Sequence, residues 1–132
     1  MVLSFVDSGI LIAAARGTPP RAQRALDILA DSDRIFCSSI FIKLEVLPKS
    51  LCYQQTLESE FYETFFQGVT YWISDLEALS QFAYHLACIY GLSGLDALNI
   101  AAAISLKADE FITTEKPTKP MYRVPNIQFL TV

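Results

Sequence analysis

The apolar residues of this chain occur in short blocks whose spacing changes between that of a strand and that of a helix. Residues 2–6 (VLSFV) form a compact apolar run of β-branched and aromatic side chains, bounded by Asp-Ser-Gly, and predict a buried strand. Four further runs of this type predict strands at 34–39, 69–74, 110–114 and 127–132. The chain therefore offers about five strands, none long enough to stand alone.

The intervening segments repeat their apolar residues at helical spacing. They predict helices at 8–17, 18–33, 40–49, 56–68, 75–91 and 94–108. In the second of these, Thr18 is the expected cap, with both prolines in the first turn. Pro48 is expected to end the third helix, because a proline removes a backbone hydrogen bond.

Strands and helices alternate along the whole length, which is typical of α/β proteins. The prediction is a three-layer α/β/α sandwich around a mainly parallel sheet of about five strands. No internal repeat, low-complexity segment or linker interrupts residues 1–132, so one domain is expected. The composition agrees, because 52% hydrophobic residues suit a sheet that is buried on both faces.

Four acidic residues fall where a parallel sheet places its ligands, beyond the carboxyl ends of the strands. They are Asp7 after the first strand, Glu45 in the helix after the second, Asp96 in the helix before the fourth, and Glu115 at the end of the fourth. Carboxylates that share one cleft repel unless a cation neutralises them. Mg²⁺ or Mn²⁺ prefers such oxygen ligands and supports phosphoryl displacement, so metal-assisted phosphodiester hydrolysis is the hypothesis.

Each acid also has an ordinary structural explanation. Asp7 and Asp96 both suit the N-cap or first turn of a helix, where a carboxylate is stabilising. Glu45 is equally compatible with an exposed helix position, and Glu115 with a solvated turn. Only their joint placement favours a site.

Charge and cysteine content restrict the class of protein. The net charge of −4 argues against a general nucleic-acid coat protein, but it leaves room for an enzyme with a local basic edge. Lys116, Lys119 and Arg123 form such an edge, free of acids. The three cysteines lack the spacing of a zinc site or a disulfide framework, and no apolar run is long enough to span a membrane. A cytoplasmic protein without membrane attachment is expected.

Three motifs, VDSG at 6–9, SSIFIKLEV at 38–46 and LDALNIAAAISLKADEFITTE at 95–115, resemble the PIN domain, whose bacterial members include toxin ribonucleases of the VapC type. The resemblance covers essentially the whole chain in element order. It implies a PIN-like fold and Mg²⁺- or Mn²⁺-dependent endoribonuclease activity on single-stranded RNA. It also suggests the toxin of a toxin–antitoxin pair, with a cognate antitoxin and a homodimer as further partners.

The resemblance assigns roles to individual residues. The catalytic metal ligands would be Asp7, Glu45, Asp96 and Glu115, with Ser8 and Thr113 orienting them. Glu115 departs from the family's usual aspartate and reaches one methylene further. Phosphate contacts at the rim would come from Lys116, Lys119 and Arg123, although free solvated side chains are the alternative.

Two other functions remain compatible with this sequence. One is a PIN-like RNA-binding or assembly module with weak or no catalysis, which the replacement at Glu115 favours. The other is a signalling domain that resembles response regulators, which needs a second acid beside Asp7 and a phosphorylatable aspartate ending the third strand. Ser8 and Gly9 follow Asp7, and Asp75 has the pattern of a helix cap, so this alternative is weaker.

Overall fold

A computed structural model describes all 132 residues as five strands and six α-helices. The strands are β1 Val2–Val6, β2 Arg34–Ser38, β3 Tyr71–Trp72, β4 Glu110–Thr113 and β5 Gln128–Thr131. The helices are α1 Ser8–Arg16, α2 Arg21–Leu29, α3 Ile40–Cys52, α4 Thr56–Gln67, α5 Leu76–Tyr90 and α6 Gly94–Ser105. A short 3-10 helix, Pro120–Arg123, lies between β4 and β5.

The five strands form one sheet in the order β3-β2-β1-β4-β5, and every neighbouring pair is parallel. Its centre is fully buried: Phe5 of β1 and Phe111 of β4 have no exposed surface and stack with their ring centroids 5.4 Å apart. Apolar side chains on both faces exclude water, as the composition indicates. The predicted α/β fold with a parallel sheet is confirmed.

The order of the strands creates a crevice beside β1. From β1 the chain builds outward through β2 to β3, then crosses to β4 and β5 on the other side. Connections on the two sides of β1 therefore leave in opposite directions, which opens a crevice at the carboxyl ends of β1 and β4. Asp7 directly follows β1, and Thr113 ends β4, so both lie at this point.

The helices form two groups. Helix α1 contacts α2, α3 and α4, whereas α5 contacts α6, which in turn contacts β2 and β4. Three consecutive alanines of α6, residues 101–103, are fully buried, and their small side chains let this helix lie close to the sheet. No single helix is long and apolar enough to cross a membrane; α5 and α6 meet that criterion only as a pair bent by 116°.

The prediction that the third helix ends at Pro48 is wrong. Helix α3 continues to Cys52 with Pro48 inside it. The proline removes the hydrogen bond that its nitrogen would donate to the carbonyl of Leu44. Leu44 and Pro48 both lie on the exposed side of the helix, where water replaces that bond.

The second helix starts later than its sequence predicts. Helix α2 begins at Arg21 after Pro20, and no side chain caps it. Thr18 takes part through its backbone instead, since its carbonyl accepts a hydrogen bond of 3.1 Å from the Ala22 N–H. The segment 17–20 is therefore a short, proline-rich connection between α1 and α2.

Candidate active site

Asp7 lies at the junction of β1 and α1, and its carboxylate is held on both oxygens. Oδ1 accepts a 2.9 Å hydrogen bond from the Ser8 N–H, which makes Asp7 the N-cap of α1. Oδ2 accepts a 2.9 Å bond from the Thr113 hydroxyl, across the crevice at the end of β4. The side chain is thus fixed between the start of α1 and the end of β4, and only 8% of the residue is exposed.

The environment of Asp7 disfavours its negative charge. Burial raises the pKa of this carboxyl from 3.8 to about 6, although the Thr113 and Ser8 hydrogen bonds act in the opposite direction. The negative charges of Glu45 and Asp96 raise this pKa further. No lysine or arginine forms an ion pair with any of these three acids. No cation is therefore in direct contact with the cluster, although Arg16 and Lys49 line a small cavity together with Glu45.

Glu45 is oriented from two different helices. Its Oε2 accepts a 2.9 Å hydrogen bond from the Ser8 hydroxyl of α1. Its Oε1 accepts a 3.0 Å bond from the Asn99 amide of α6. Ser8 thus links the two acids, because its N–H binds Asp7 while its hydroxyl binds Glu45.

Asp96 occupies the third position of α6, and it is not the helix cap. Ser93 is the N-cap, and its hydroxyl accepts the N–H of Asp96 at 3.4 Å. The Asp96 carboxylate itself accepts no hydrogen bond and joins no ion pair within the protein. Because the capping role belongs to Ser93, this half-buried carboxylate keeps its oxygens available beside the positive end of the helix dipole.

Glu115 is placed differently from the other three acids. It follows β4 by two residues, and its N–H donates to the Thr113 hydroxyl at 3.1 Å. Its side chain is 41% exposed and lies 3.7 Å from the Lys119 ammonium. Unlike Glu45 and Asp96, it does not act on the pKa of Asp7. The structure brings the first three acids together and directs Glu115 towards Lys119.

The donor chemistry of the cluster suits a hydrated divalent ion. The Asn99 side chain is 2% exposed and its Oδ1 has no hydrogen-bond partner, as is also true of the Ser38 and Ser39 hydroxyls at the end of β2. No three Asp, Glu, His or Cys side chains converge closely enough to enclose an ion directly. Mg²⁺ retains several waters and is bound through one or two carboxylates, so the hard oxygen donors present here are of the type that it prefers.

Asn99 was missed in the sequence, although a signal was present. It stands three residues after Asp96, on the same face of a helix that is otherwise built of apolar and small side chains. A polar amide in such a helix is buried only with a partner, and here the partner is Glu45.

The predicted basic rim is partly engaged within the protein. Lys119 pairs with Glu115, and Arg123 donates to the carbonyl of Tyr90 at 3.1 Å near the end of α5. Lys116 is exposed without an acidic partner. A role for these three residues in phosphate binding stays a prediction.

No protein-family model and no curated protein sequence matches this chain significantly. Solved structures do match it over almost its full length. A chain of the crystal structure of VapBC2 from Rickettsia felis, bound to a DNA fragment from the promoter, has 17% identity and a TM-score of 0.72, with 98% of both chains covered.

Two further structures give the same result. A toxin–antitoxin complex from Klebsiella pneumoniae has 21% identity and a TM-score of 0.70, with 97% of this chain and 96% of the other covered. DNA-bound VapBC from Salmonella typhimurium has 14% identity and a TM-score of 0.68, with 99% and 98% covered. At such low identity the likeness establishes the fold. The chain has the PIN-domain fold of VapC-type proteins.

Proposed function

We propose that this protein is a divalent-metal-dependent endoribonuclease that cleaves single-stranded RNA. The observation that carries the proposal is the buried Asp7 carboxylate. Its pKa is raised by the negative charges of Glu45 and Asp96, and it forms no ion pair. An unneutralised acidic cluster is unfavourable in a folded protein and is typical of functional sites. The fold agrees, since the similar structures are toxin–antitoxin complexes.

Asp7, Glu45 and Asp96 would hold the Mg²⁺ or Mn²⁺ ion, in part through its bound water molecules, because the three carboxylates do not converge closely enough to enclose it directly. Glu115 would be a peripheral fourth acid. When bound, this ion stabilises the charge that develops on the phosphoryl group and makes water a better nucleophile. Ser8, Thr113 and Asn99 fix the carboxylates through the hydrogen bonds described above. Such partners orient ligands and restrict their motion before the substrate arrives.

The decisive assay uses the purified full-length chain and a single-stranded RNA. Cleavage should require Mn²⁺ or Mg²⁺ and stop with EDTA. Asp96→Asn should abolish it, while the melting temperature stays equal or rises because charge repulsion is relieved. Asp33→Asn is the matched control, since it makes the same chemical change at an exposed residue before β2.

A different result would assign Asp96 a purely structural role. If calorimetry detects no metal binding and Asp96→Asn only lowers the melting temperature, the carboxylate serves to stabilise the start of α6. RNA that is bound but never cut with metal present would instead support the second candidate, a PIN-like binding module. The separation of Glu115 from the other acids is the observation that favours that candidate.

We also propose that the protein acts as a toxin with a cognate protein antitoxin. The similar chains come from structures described as VapBC and toxin–antitoxin complexes, and this supports the proposal. Co-expression with the product of the neighbouring reading frame should yield a stable complex in which RNA cleavage is suppressed. Separate elution of the two proteins, with cleavage unaffected, would contradict it. Light scattering on each sample would also test the expected homodimer.

A further inference from the structure

A basic groove lies beside the acidic cluster, and no local sequence pattern indicates it. The groove has a volume of about 590 Å³ and is formed by α1, the connection 17–20, the start of α2 and Thr114. Three of its lining side chains are arginines, Arg16, Arg21 and Arg24, and none of its 11 lining residues is acidic. We call this the arginine groove.

The three arginines have no partner within the protein. The chain has an acidic excess of four charges, and yet none of the three forms an ion pair or a side-chain hydrogen bond. Arg34 shows the contrasting case, since it pairs with both Asp31 and Glu110. Three exposed arginines that line one concavity without acids provide positive charge for several anionic groups, although Arg16 also lines a neighbouring cavity with Glu45 and Glu58.

The arginine groove begins next to the candidate active site. Gly9 and Thr114 line one end, and they directly follow Ser8 and Thr113 in the chain. A Cβ atom on residue 9 would overlap the Thr114 hydroxyl, so the glycine lets α1 approach this end of β4 closely. The acidic cluster and the groove thus share one boundary.

The groove follows one face of α1 away from that boundary. Gly9, Ile12, Ala13 and Arg16 line it with the spacing of a single helical face. The seven helical steps from Gly9 to Arg16 span about 10 Å, and Arg16, Arg21 and Arg24 at the far end can each bind a phosphate of a single strand. The length and the number of arginines therefore match a short stretch of nucleic-acid backbone.

We propose that the arginine groove binds the phosphates of single-stranded RNA next to the scissile bond, an inference that rests on the proposed ribonuclease function. Guanidinium groups bind phosphate oxygens through two donors and remain charged at all physiological pH values. Pro19 and Pro20 restrict the wall between Arg16 and Arg21, which lowers the entropy lost on binding.

RNA accounts for the groove better than an acidic protein segment does. The core of a protein interface is apolar and depleted in charge. Apart from the two prolines, Ile12 and Ala13 are the only apolar residues in the lining. The phosphate backbone of RNA carries regularly spaced charges and needs no apolar anchor. RNA is therefore the ligand that we propose for the groove.

The test measures RNA binding apart from cleavage. A fluorescently labelled single-stranded RNA of about 12 nucleotides is titrated with the full-length protein in EDTA, by anisotropy, at about 50 to 200 mM KCl. The variant with Arg16→Gln, Arg21→Gln and Arg24→Gln should bind roughly tenfold or more weakly. Its slope of log affinity against log salt should fall by about 2, since each phosphate contact contributes about 0.7 for single strands.

Two controls separate this effect from unfolding and from net charge. The triple variant with lysine at the same three positions should keep most of the salt slope. Lys107→Gln, which removes a positive charge in the turn between α6 and β4, should leave affinity and slope unchanged. Circular dichroism melting of every variant confirms that it is folded.

Each outcome bears on one proposal only. An unchanged affinity and slope in the folded glutamine variant would overturn the arginine groove, even if Mn²⁺-dependent cleavage is observed. Arginine-dependent binding without any cleavage would overturn the nuclease and leave the groove in place. If an oligoglutamate peptide of matched charge binds through the arginines while RNA does not bind, the groove belongs to an acidic protein partner and the inference fails.

Discussion

Acidic residues lie at the amino ends of the parallel strands, here called the amino edge, and at their carboxyl ends, the carboxyl edge. The surroundings of the two groups differ. At the amino edge, Glu110 accepts hydrogen bonds from the Ser4 hydroxyl at 2.6 Å and from the Arg34 Nε at 2.9 Å. Arg34 also binds Asp31 at 2.7 Å. At the carboxyl edge, Asp7 and Glu45 accept hydrogen bonds but form no ion pair, and the Asp96 carboxylate has neither kind of partner.

The amino-edge acids therefore complete the fold. Asp109 illustrates this role, because its Oδ2 accepts the Leu3 N–H at 2.8 Å while its own N–H donates to the Leu3 carbonyl at 2.7 Å. It extends the pairing of β1 and β4 at their amino ends. Acids at the amino edge therefore have structural roles, and Glu110 differs from the acids at the carboxyl edge in its ion pair with Arg34.

The largest expected effect is a gain in stability when Asp7 is neutralised. A pKa raised from 3.8 to about 6 corresponds to about 3 kcal/mol of destabilisation in the ionised form. Asp7→Asn should therefore raise the free energy of unfolding by up to about 3 kcal/mol at pH 7.5 in EDTA, by urea denaturation.

The gain in stability on neutralising Asp7 should depend on pH. Because burial raises the folded pKa of Asp7, the penalty is absent below about pH 4 and appears as pH rises towards 6. The stability difference between wild type and Asp7→Asn should grow over that interval and stay constant above it. A variant less stable than wild type at pH 7.5 would mean that the Asp7 hydrogen bonds outweigh its burial.

Binding of a metal ion should neutralise the acids at the carboxyl edge, as Arg34 neutralises Asp31 and Glu110 at the amino edge. An ion at 100 times its dissociation constant stabilises the folded state by about 2.7 kcal/mol, or roughly 10 °C in melting temperature at this chain length. Wild type and Asp33→Asn should show this shift with Mn²⁺ by calorimetry, and Asp7→Asn should lose it. An equal shift in all three would place the ion elsewhere.

At the amino edge the same kind of substitution should be destabilising. Glu110→Gln leaves the Arg34 guanidinium, whose side chain is 18% exposed, with Asp31 alone. The expected loss is about 2 kcal/mol, below that of a fully buried pair because one partner remains. Urea denaturation measures it, and the Mn²⁺ shift should persist. A loss of that shift would show that the edges are coupled.

The smallest effect is expected for Glu115→Gln. Its contact with Lys119 is 3.7 Å long and both side chains are more than 40% exposed, so the stability should change by less than about 0.5 kcal/mol. The Mn²⁺ shift should be largely retained. Its disappearance would make Glu115 an essential ligand and reduce the contrast with the other three acids.

The elements and the acids at the strand ends were predictable because their signals are local. Asp7 directly follows the apolar run of β1, and the parallel pairing of β1 with β4 places it beside the carboxyl end of β4. Asn99 has a sequence signal in its spacing from Asp96, but its contact with Glu45 depends on how α6 is rotated. The arginine groove has none, because it depends on the approach of residues 9–24 to Thr114, far along the chain. The effect of Pro48 on α3 was not predictable, because the energetic cost of the lost hydrogen bond depends on which face of α3 is exposed to solvent.

The absence of a side chain at Gly9 determines how closely α1 approaches Thr114. Since α1 touches Thr114 at this residue, the acid that precedes the helix and the arginine that ends it are positioned from a single reference point. A methyl group there would overlap the Thr114 hydroxyl, so either that side chain rotates or α1 moves away from the end of β4. Where α1 moves, Gly9→Ala would displace the proposed metal ligands relative to the proposed RNA groove while the core stays closed.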